Sequence, residues 1–547
     1  MSPPRVIIIG AGSRGKVYAK SIQLCTNAVV AAVAEPVPYK RQFFAKSFIH
    51  THSPPAEGQQ FAHWNDFVAW ESDRRRREAA GEDVPPGIDT AFVCVLDEDH
   101  RDAIVALGPL KLHIMCEKPL ATSLDDCIAM YRALRPQAQP TANSVNGANG
   151  TGAADDGKRI FSIGHVLRYS PHNMLLRKLL LEDRVIGDIC SVEHTEPVGW
   201  WHFAHSYVRG NWRNASISSP SILAKSCHDI DLLMWLLMSP AKAGNGEPHL
   251  PSNISSTGSL HYYKKSRKPR AAGDATNCMS CPLVDEGCKY SAKKIYVGPG
   301  EKSVETGNTK WPVNVVLPEI EDIPTIEERR AAILEKLTED YDAGTPADEV
   351  ANKKWYGRCV YESDNNVCDD QFVTITWDDE PVPSDPPSPP SPTSTAPASA
   401  PVLNQQTPTR RNYAKVATLH MVASTKKVCQ RYTAIYGTDG EIHADSHTIT
   451  IENFSTGETV THHPPVLDAD SHGGGDLGLT GQFINAVDAV KNGRQCVDEA
   501  QLQYIGCTLK DVIMSHAMVF AAEDSRVQRK TLGWKEWWDA EVESKLM

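Results

Sequence analysis

The chain of 547 residues lacks the features that would place it in a membrane or on nucleic acid. Its longest apolar run, Leu232 to Met238, falls far short of the ~20 residues that a membrane helix needs. It has no basic excess, because its net charge is -12 and its pI is about 5.9. A Met-Ser-Pro-Pro start leads directly into an apolar strand, so no signal peptide is expected, and the 14 cysteines are expected to be reduced thiols. We therefore expect a cytoplasmic protein without nucleic-acid or membrane partners.

A glycine-rich turn near the start predicts a dinucleotide site. The apolar strand that begins at Arg5 runs into three spaced glycines, and a helix follows. Glycines at this spacing form a tight turn, admit a pyrophosphate to the backbone and let the helix pack with its N–H groups towards the phosphates. The expected cofactor contacts are Gly10, Gly12, Ser13, Arg14 and Gly15. The alternative is a glycine turn in an α/β protein that binds no nucleotide.

An acidic residue after the second strand indicates which dinucleotide is bound. The strand Val29 to Ala34 ends at Glu35, about 20 residues beyond Gly15. An acid at this spacing binds the ribose 2′-hydroxyl and repels a 2′-phosphate. We therefore predict NAD(H) as the cofactor, and NADP(H) stays possible because Arg41 is close enough in sequence to reach a phosphate.

A lysine at a strand end is the next candidate. The strand Lys111 to Cys116 ends in Glu117, Lys118 and Pro119. Proline favours extended geometry in the residue before it, so Lys118 is expected at a rigid strand end. Ligands of such sheets bind beyond the carboxyl ends of the strands. Glu117, Lys118 and, after the preceding strand, His100 are therefore predicted cofactor contacts, although a lysine here can also be a plain surface residue.

A loop rich in aromatic and basic residues follows the strand Asp188 to Val198. Aromatic faces together with hydrogen-bond donors suit a polyhydroxylated ring, and a loop that packs only on itself is the alternative. The candidate substrate contacts are Trp200, His202, His205, Arg209, Trp212 and Arg213, with Arg168 from earlier in the chain. With Lys225, the three arginines predict a positive pocket that favours an acidic or phosphorylated sugar.

A strongly apolar helix is predicted from Ser219 to Met238, with Pro220 in its first turn. Lys225, His228 and Asp229 fall on one side of this helix, at i, i+3 and i+4. Ionisable groups in an apolar helix are costly to bury without a function, and a solvated helix end is the alternative. Lys225 and His228 are candidate catalytic groups. Asp229 is a candidate substrate contact, and either it or Asp231 would orient the imidazole.

A cysteine cluster has the spacing of a metal knuckle. Cys278 and Cys281 form a CxxC pair, and Cys288 follows. A tetrahedral zinc needs four ligands, and Cys359 is the predicted fourth, with Cys368 as the alternative. A structural zinc and free thiols both fit the sequence. A catalytic metal is not expected, because no histidine or carboxylate accompanies the knuckle.

Three polar tracts interrupt the pattern of helices and strands. Residues 136–157 and the proline-, serine- and threonine-rich residues 379–410 are predicted to be disordered, because neither composition can bury a core. A polar surface insertion is expected from Ser72 to Gly87, after a short helix that ends near Trp70.

Four motifs in order carry a family resemblance. The GAGSRG turn from Gly10 to Gly15, Glu117-Lys118-Pro119, His228-Asp-Ile-Asp231 and Gly437-Thr-Asp-Gly-Glu441 together resemble the Gfo/Idh/MocA oxidoreductases. The resemblance implies an α/β chain with an N-terminal Rossmann domain, a doubly wound parallel sheet, at residues 1–158. It implies a C-terminal α+β domain at residues 159–547, with a large, mostly antiparallel open sheet that binds substrate and through which a homo-oligomer could form.

The resemblance also assigns roles. Lys118 would lie beside the nicotinamide, and His228 would transfer the proton. Ala224 stands where many members carry an aspartate one turn before the histidine, and Lys225 lies next to it. We therefore expect an NAD(P)-dependent oxidoreductase acting on a secondary alcohol or ketone of a sugar, cyclitol or glycoside, with Lys118 and Lys225 stabilising an alkoxide. The alternatives are an NAD-dependent glycosidase of the same fold and a non-enzymatic sugar sensor that binds dinucleotide.

Overall fold

The computed structural model describes residues 2–50, 54–135, 158–240, 246–380, 412–467 and 472–546. The tract 136–157 lies outside these residues, and so does 379–410 apart from Asp379 and Glu380. The predictions of disorder for both tracts therefore stay predictions.

In the described N-terminal part, six parallel strands form one sheet, which confirms the predicted Rossmann architecture. The strands are β1 Arg5–Ile9, β2 Val29–Ala34, β3 Gln60–Phe61, β4 Thr90–Val93, β5 His113–Cys116 and β6 Phe161–Ile163. Their order is β3-β2-β1-β4-β5-β6. Continuous apolar runs such as Val6 to Ile9 are fully buried, because helices cover both faces of the sheet. The glycine turn, Glu35 and Lys118 all follow strands at the carboxyl edge.

The first sheet extends further along the chain than the sequence indicates. β6 pairs in parallel with β5, from Ile114 with Phe161 to Cys116 with Ile163. The predicted start of the second domain at residue 159 would remove this strand from its sheet. The boundary between the two domains itself stays a prediction.

A second sheet of nine strands, counted in the described residues, forms the C-terminal domain. The strands are β7 Ile189–Pro197, β8 Asn253–Ser259, β9 Asp370–Trp377, β10 Lys415–Val422, β11 Tyr432–Gly437, β12 Gly440–Ala444, β13 Ile449–Asn453, β14 Thr459–His462 and β15 Leu532–Gly533. Their order is β14-β13-β12-β11-β7-β10-β9-β8-β15. β7 and β10 pair in parallel and the other neighbours are antiparallel, which confirms the mostly antiparallel prediction.

The described α-helices cover both sheets. They are α1 Ser13–Cys25, α2 Pro38–Phe44, α3 Trp64–Ala79, α4 His100–Leu107, α5 Leu124–Leu134, α6 Pro171–Leu181, α7 Trp200–Phe203, α8 Ser221–Leu237, α9 Val313–Val316, α10 Ile326–Lys336, α11 Ala347–Asn352, α12 Gly475–Lys491, α13 Val497–Ala500, α14 Leu509–Gln528, α15 Trp534–Trp538 and α16 Ser544–Leu546. α8 is the central one: every residue except Trp235 is buried, and it packs against α14 and β10.

No single helix in the described residues is long and apolar enough to cross a membrane. One pair of consecutive segments, Val497–Ile505 and Leu509–Gln528, meets the length and composition criteria together but is bent by 46°.

Two local predictions were wrong. α3 continues to Ala79, through residues expected to form a polar insertion. Its Glu71 pairs with Arg74 at 2.9 Å and with Arg75 at 2.8 Å, and such i+3 and i+4 pairs support a helix without an apolar stripe. α8 begins at Ser221, so Pro220 is its N-cap residue and does not lie in the first turn.

Gly10 has a backbone conformation that side chains rarely adopt. Its φ is 97°, and a Cβ there would lie 2.4 Å from the carbonyl oxygen of Cys94. We expect Gly10→Ala to lower the free energy of unfolding by about 1–3 kcal/mol, because the left-handed strain and the backbone clash both have to be relieved. Urea titration followed by circular dichroism measures the change.

Gly12→Ala is the matched control. Gly12 has a φ of -74°, and a Cβ there would meet nothing within 4 Å. This variant should keep its stability but bind dinucleotide more weakly, because the methyl group would occupy the space through which a phosphate approaches. Equal losses of stability in the two variants would contradict the strain assigned to Gly10.

Candidate active site

The glycine turn leaves an open, positively polarised surface at the start of α1. Gly12 is the N-cap residue, so no side chain caps the helix, and no acidic residue occupies its first turn. A Cβ at Gly15 would lie 2.1 Å from the Gly10 carbonyl oxygen, so this glycine lets α1 pack closely. The space beside Gly12 is free. These residues fit the pyrophosphate of a dinucleotide.

Glu35 lies at the same edge of the sheet, and its carboxylate is hydrogen-bonded to the backbone of the glycine turn. Oε2 accepts a hydrogen bond from Ala11 N at 2.8 Å, and Oε1 accepts one from Val37 N at 3.0 Å. Each oxygen keeps further acceptor capacity, which fits ribose hydroxyls. Arg41, the alternative phosphate contact, donates to the carbonyl oxygen of Glu35.

Arg14 joins the glycine turn to two distant segments. Its Nε donates to Glu117 Oε1 at 2.6 Å, and its Nη2 donates to Asp476 Oδ1 at 2.5 Å. Burial alone would raise the pKa of Glu117, but the charges of Arg14 and Lys118 hold that pKa below its usual value. Both predicted cofactor contacts therefore serve as an ionised anchor between protein segments.

Lys118 lies where the two domains meet. Its peptide bond to Pro119 is cis, and its Nζ donates to the carbonyl oxygen of Ala224 in α8 at 2.9 Å. An ammonium has three N–H donors, so the one bond to Ala224 leaves donor capacity for a ligand.

Two buried histidines fix the segment that follows Lys118. His100 Nδ1 lies 2.8 Å from the carbonyl oxygen of Pro119, and Leu120 N donates to His516 Nε2 at 2.9 Å. Both imidazoles are fully buried. The sequence predicts His100 as a cofactor contact, whereas the structure places it behind the loop as a support. His516 comes from α14, and no motif marks it.

Lys225 is a buried ammonium in the same turn of α8 as Ala224. Its Nζ lies 3.0 Å from Glu196 Oε1 and donates to Cys429 Sγ at 3.0 Å. Burial would lower the pKa of Lys225, but Cys429 and Glu196 raise it above its usual value. The 6% exposure of Lys225 excludes the alternative of a solvated helix end, and its catalytic role stays a prediction.

His228 faces this cluster as a neutral imidazole. Burial lowers its pKa well below the usual value, and the charges of Arg431 and Lys118 add to this effect although Asp229 opposes it. Nε2 accepts a hydrogen bond from Arg431 Nη2 at 2.7 Å, so the ring proton lies on Nδ1. A proton can reach Nε2 only when the contact with Arg431 opens.

Two carboxylates, Asp229 and Glu196, lie close to His228 and to its partner Arg431. Asp229 Oδ2 lies 3.7 Å from His228 Nε2, and its Oδ1 pairs with Arg431 and lies 3.2 Å from His194 Nε2. Glu196 Oε2 lies 3.0 Å from Arg431 Nε. Of Asp229 and Asp231, Asp229 is therefore the one whose charge raises the pKa of His228.

The predicted pocket of three arginines does not form, because each arginine is bound elsewhere. Arg168 makes a two-point pair with Asp231, with both contacts at 2.7 Å. Arg213 Nε donates to Asp364 Oδ1 at 2.7 Å, and Arg209 donates to two backbone carbonyls at 2.6 and 2.8 Å. All three guanidinium groups are buried.

The aromatic loop divides between the site and the packing of the segment between β8 and β9. His202 Nδ1 lies 3.7 Å from Cys429 Sγ, and Trp212 Nε1 donates to Asp97 Oδ2 at 2.7 Å. Burial and the charge of Lys225 lower the pKa of His202 well below its usual value, so it is a neutral member of the site. The other two predicted contacts pack on tyrosines between β8 and β9: Trp200 on Tyr290 and His205 on Tyr356.

Three residues of the site have no sequence signal. Glu196 lies near the end of β7, and Cys429 and Arg431 lie in the loop between β10 and β11. They reach α8 across about 30 and 200 residues of chain, so no local spacing predicts the contacts. The full burial of Glu196 is unusual for an acid, but this burial is a property of the folded strand and cannot be read from the sequence. The four cysteines of the predicted knuckle line a separate cavity.

The N-terminal domain matches a known family. Residues 4–142 match the GFO_IDH_MocA model, described as an oxidoreductase family with an NAD-binding Rossmann fold, which confirms the predicted resemblance over this part of the chain. A curated relative, 2,7-anhydro-N-acetylneuraminate hydratase of Escherichia coli (strain K12), is 27% identical over 150 residues. These residues are 27% of this chain and 34% of the relative, so the match spans about a third of the relative's length.

Solved structures extend the likeness to the whole fold. Levoglucosan dehydrogenase in complex with NADH and levoglucosan has 13% identity and a TM-score of 0.52, over 97% of this chain and 99% of that chain. An oxidoreductase from Agrobacterium radiobacter in complex with NAD+, L-tartaric acid and magnesium has 12% identity and a TM-score of 0.52, over 97% and 98%. At these identities the likeness shows a common fold.

The buried His516 links stability to pH. Burial lowers the pKa of His516 to about 3, whereas an unfolded histidine titrates near ~6.5. Between these values the unfolded state binds more protons, so acidification destabilises the folded state. We expect His516→Gln, which keeps an acceptor for Leu120 N, to reduce the slope of the unfolding free energy against pH by up to about one proton. Denaturant titrations at several pH values measure this slope.

His447→Gln is the control for this measurement, because His447 is exposed. It shows how far the replacement of any histidine by glutamine changes the slope. A slope for His516→Gln equal to that of the unmodified chain would mean that His516 titrates alike in the folded and unfolded states.

Proposed function

We propose that the chain is an NAD(H)-dependent oxidoreductase that moves a hydride between the nicotinamide and a secondary alcohol or ketone of a sugar, cyclitol or glycoside. The observation that carries the proposal is the position of the Lys118 ammonium. It lies at the sheet edge that bears the dinucleotide turn, and it donates to the backbone of α8 at 2.9 Å. Lys225 and His228 lie on the same helix, so proton-carrying groups from both domains converge beside the dinucleotide edge.

The residues of the chain would stabilise charge on the reacting oxygen. A bound NAD supplies the hydride acceptor. Lys118 has N–H donors left for the substrate oxygen, and Lys225 adds a second cation, which is buried. Fixed cations in a site that excludes water stabilise a developing alkoxide strongly, because they need no reorganisation during the reaction.

His228 is the proton acceptor in this proposal. Its lowered pKa keeps the imidazole neutral at pH 7, which is the state a base requires. Arg431 occupies Nε2, so a substrate hydroxyl has to displace this guanidinium before its proton can transfer. Arg431 keeps Glu196 and Asp229 as partners when it withdraws.

A sugar acid is the substrate class that the charges favour. Lys225 and Arg431 pair with Glu196 and Asp229, whereas the Lys118 ammonium donates to the neutral carbonyl oxygen of Ala224. A carboxylate on the substrate would neutralise this ammonium. The relative from Escherichia coli acts on an anhydro-neuraminate, which is a sugar acid. The preference thus rests on Lys118, since the three arginines predicted for the pocket are bound elsewhere.

The same relative supports a second possibility. It is a hydratase, and adding water to a substrate requires no net oxidation. A reaction of this kind would convert substrate without accumulation of NADH. An assay therefore has to follow the carbohydrate product as well as the cofactor.

We expect Lys118→Met to lower kcat by about 10²–10³-fold, because loss of one fixed donor to a developing alkoxide has this effect. Neutral and acidic sugars are incubated with NAD+, and turnover is followed by NADH absorbance and by mass spectrometry of the product. NADH binding, followed by fluorescence, should be retained because the glycine turn is unchanged.

Lys20→Met removes an exposed lysine of α1 and should behave like the unmodified chain. Full turnover by Lys118→Met would show that the assigned role is incorrect. Binding of NADH by the unmodified chain, with no conversion of any sugar, would instead support a dinucleotide-binding sensor.

Glu35 sets the choice of dinucleotide in this proposal. We expect Glu35→Gln to tighten NADPH binding by roughly tenfold or more, because the repulsion between the carboxylate and a 2′-phosphate disappears. The amide oxygen of the substituted side chain can still accept the hydrogen bond from Ala11 N. Titration of both cofactors by fluorescence measures the ratio of dissociation constants, and an unchanged ratio would remove Glu35 from this role.

A further inference from the structure

Three cysteines of one short segment and a fourth from further along the chain line one small cavity. Cys278, Cys281, Cys288 and Cys359 all contribute to its wall, together with Arg209. The cavity measures ≈ 20 Å³, which is room for about one water-sized sphere. A single metal ion fits this space and an organic ligand does not.

Main-chain hydrogen bonds bring the thiols to the cavity. Cys278 N donates to Gly357 O and Cys359 N donates to Thr276 O, each at 2.8 Å, so two short segments run antiparallel side by side. Cys281 N donates to Cys278 O at 3.2 Å, which closes the CxxC turn. A tight CxxC turn that faces another cysteine is the backbone arrangement of a structural zinc knuckle.

Arg209 supplies an independent sign that negative charge belongs in this cavity. Its side chain is 0% exposed, and its Nη2 donates to Cys278 Sγ at 3.4 Å. Its other bonds go to neutral carbonyls, Nη1 has no hydrogen-bond partner, and among the described residues no carboxylate pairs with it. A buried guanidinium without a counter-charge is strongly unfavourable. Thiolates bound to a metal would provide that charge.

We propose that Cys278, Cys281, Cys288 and Cys359 bind one structural zinc ion. Zinc replaces the four thiol protons and leaves a site with a net negative charge, which Arg209 partly offsets. All four positions of a tetrahedral ion are filled by protein ligands, so the site has no open position for catalysis.

The sulfurs have to move inward when the ion binds. Among the described residues, the group of three potential ligand atoms that lie within 4.8 Å of one another is a different one, His165, Cys227 and His516. That group is unsuited, because both nitrogens of His516 already bond to the backbone. The cysteine sulfurs approach a common ion at ~2.3 Å when their side chains rotate about the Cα–Cβ bond, while the CxxC turn stays in place.

The position of the site explains what the ion would do. In the described residues between β8 and β9, short helices pack around a small core of their own, to which Cys278 belongs. Arg209 ends the segment Ala204–Arg209, which directly follows His202 and Phe203. The ion would cross-link this region of short helices and hold the aromatic loop against the active site.

The test measures metal content in the full-length chain. Protein is purified without chelators, and zinc is measured by plasma mass spectrometry in the unmodified chain and in Cys281→Ser, Cys288→Ser and Cys190→Ser. Cys190 is exposed on β7 and serves as the matched control. Refolding with cobalt adds an optical readout, because thiolate–cobalt bonds give charge-transfer bands.

We expect about one zinc ion per chain in the unmodified protein and in Cys190→Ser, and a loss of half or more in the other two variants, with lower melting temperatures. Zinc that persists in both ligand variants would overturn the proposal. The same holds for an unmodified chain that contains no zinc and shows no thiolate–cobalt bands. A disulfide among the four cysteines, found by mass spectrometry after alkylation, would also exclude the site.

Discussion

One set of charges, the half-buried Arg14 with the buried acids Glu117 and Asp476, fixes the relative positions of the three parts of the site. Arg14 belongs to the glycine turn, Glu117 precedes Lys118, and Asp476 lies in the first turn of α12 in the second domain. The two acids are 5% and 1% exposed, so water cannot replace the guanidinium as their partner. The distance from the dinucleotide turn to the lysine and to the second domain is therefore set by electrostatics, and the packing of the loops follows from it.

Buried acids also hold the cations around His228 in place. Two acids, Glu196 and Asp229, lie among Lys225, Arg431 and His228 in a region from which water is largely excluded. Because the imidazole is the one group here that can lose its charge readily, it is the neutral member, and the lysine and arginine stay cationic. Burial thus divides the work in the proposed reaction: cations stabilise the oxygen, and the imidazole is free to accept a proton.

The sequence predicted those parts of the molecule that depend on neighbours in the chain. The glycine turn, the lysine before Pro119 and the polar side of α8 are local patterns, and the structure places all three at one junction. The order of the two sheets came from the family resemblance. The partners of the arginines were beyond prediction, because Arg168, Arg209 and Arg213 find them 63 or more residues away. A basic residue beside aromatic residues looks the same in a sequence whether it serves a ligand or a buried ion pair.

The contact between Lys118 and Ala224 has a consequence for how the site can vary. The acceptor of the ammonium is a peptide oxygen, and no substitution can delete a peptide oxygen as it would a side-chain carboxylate. The side chain at position 224 is therefore not needed to hold the lysine in place, provided that α8 stays helical there. An exchange of the residue at this position therefore leaves the acceptor of the lysine in place.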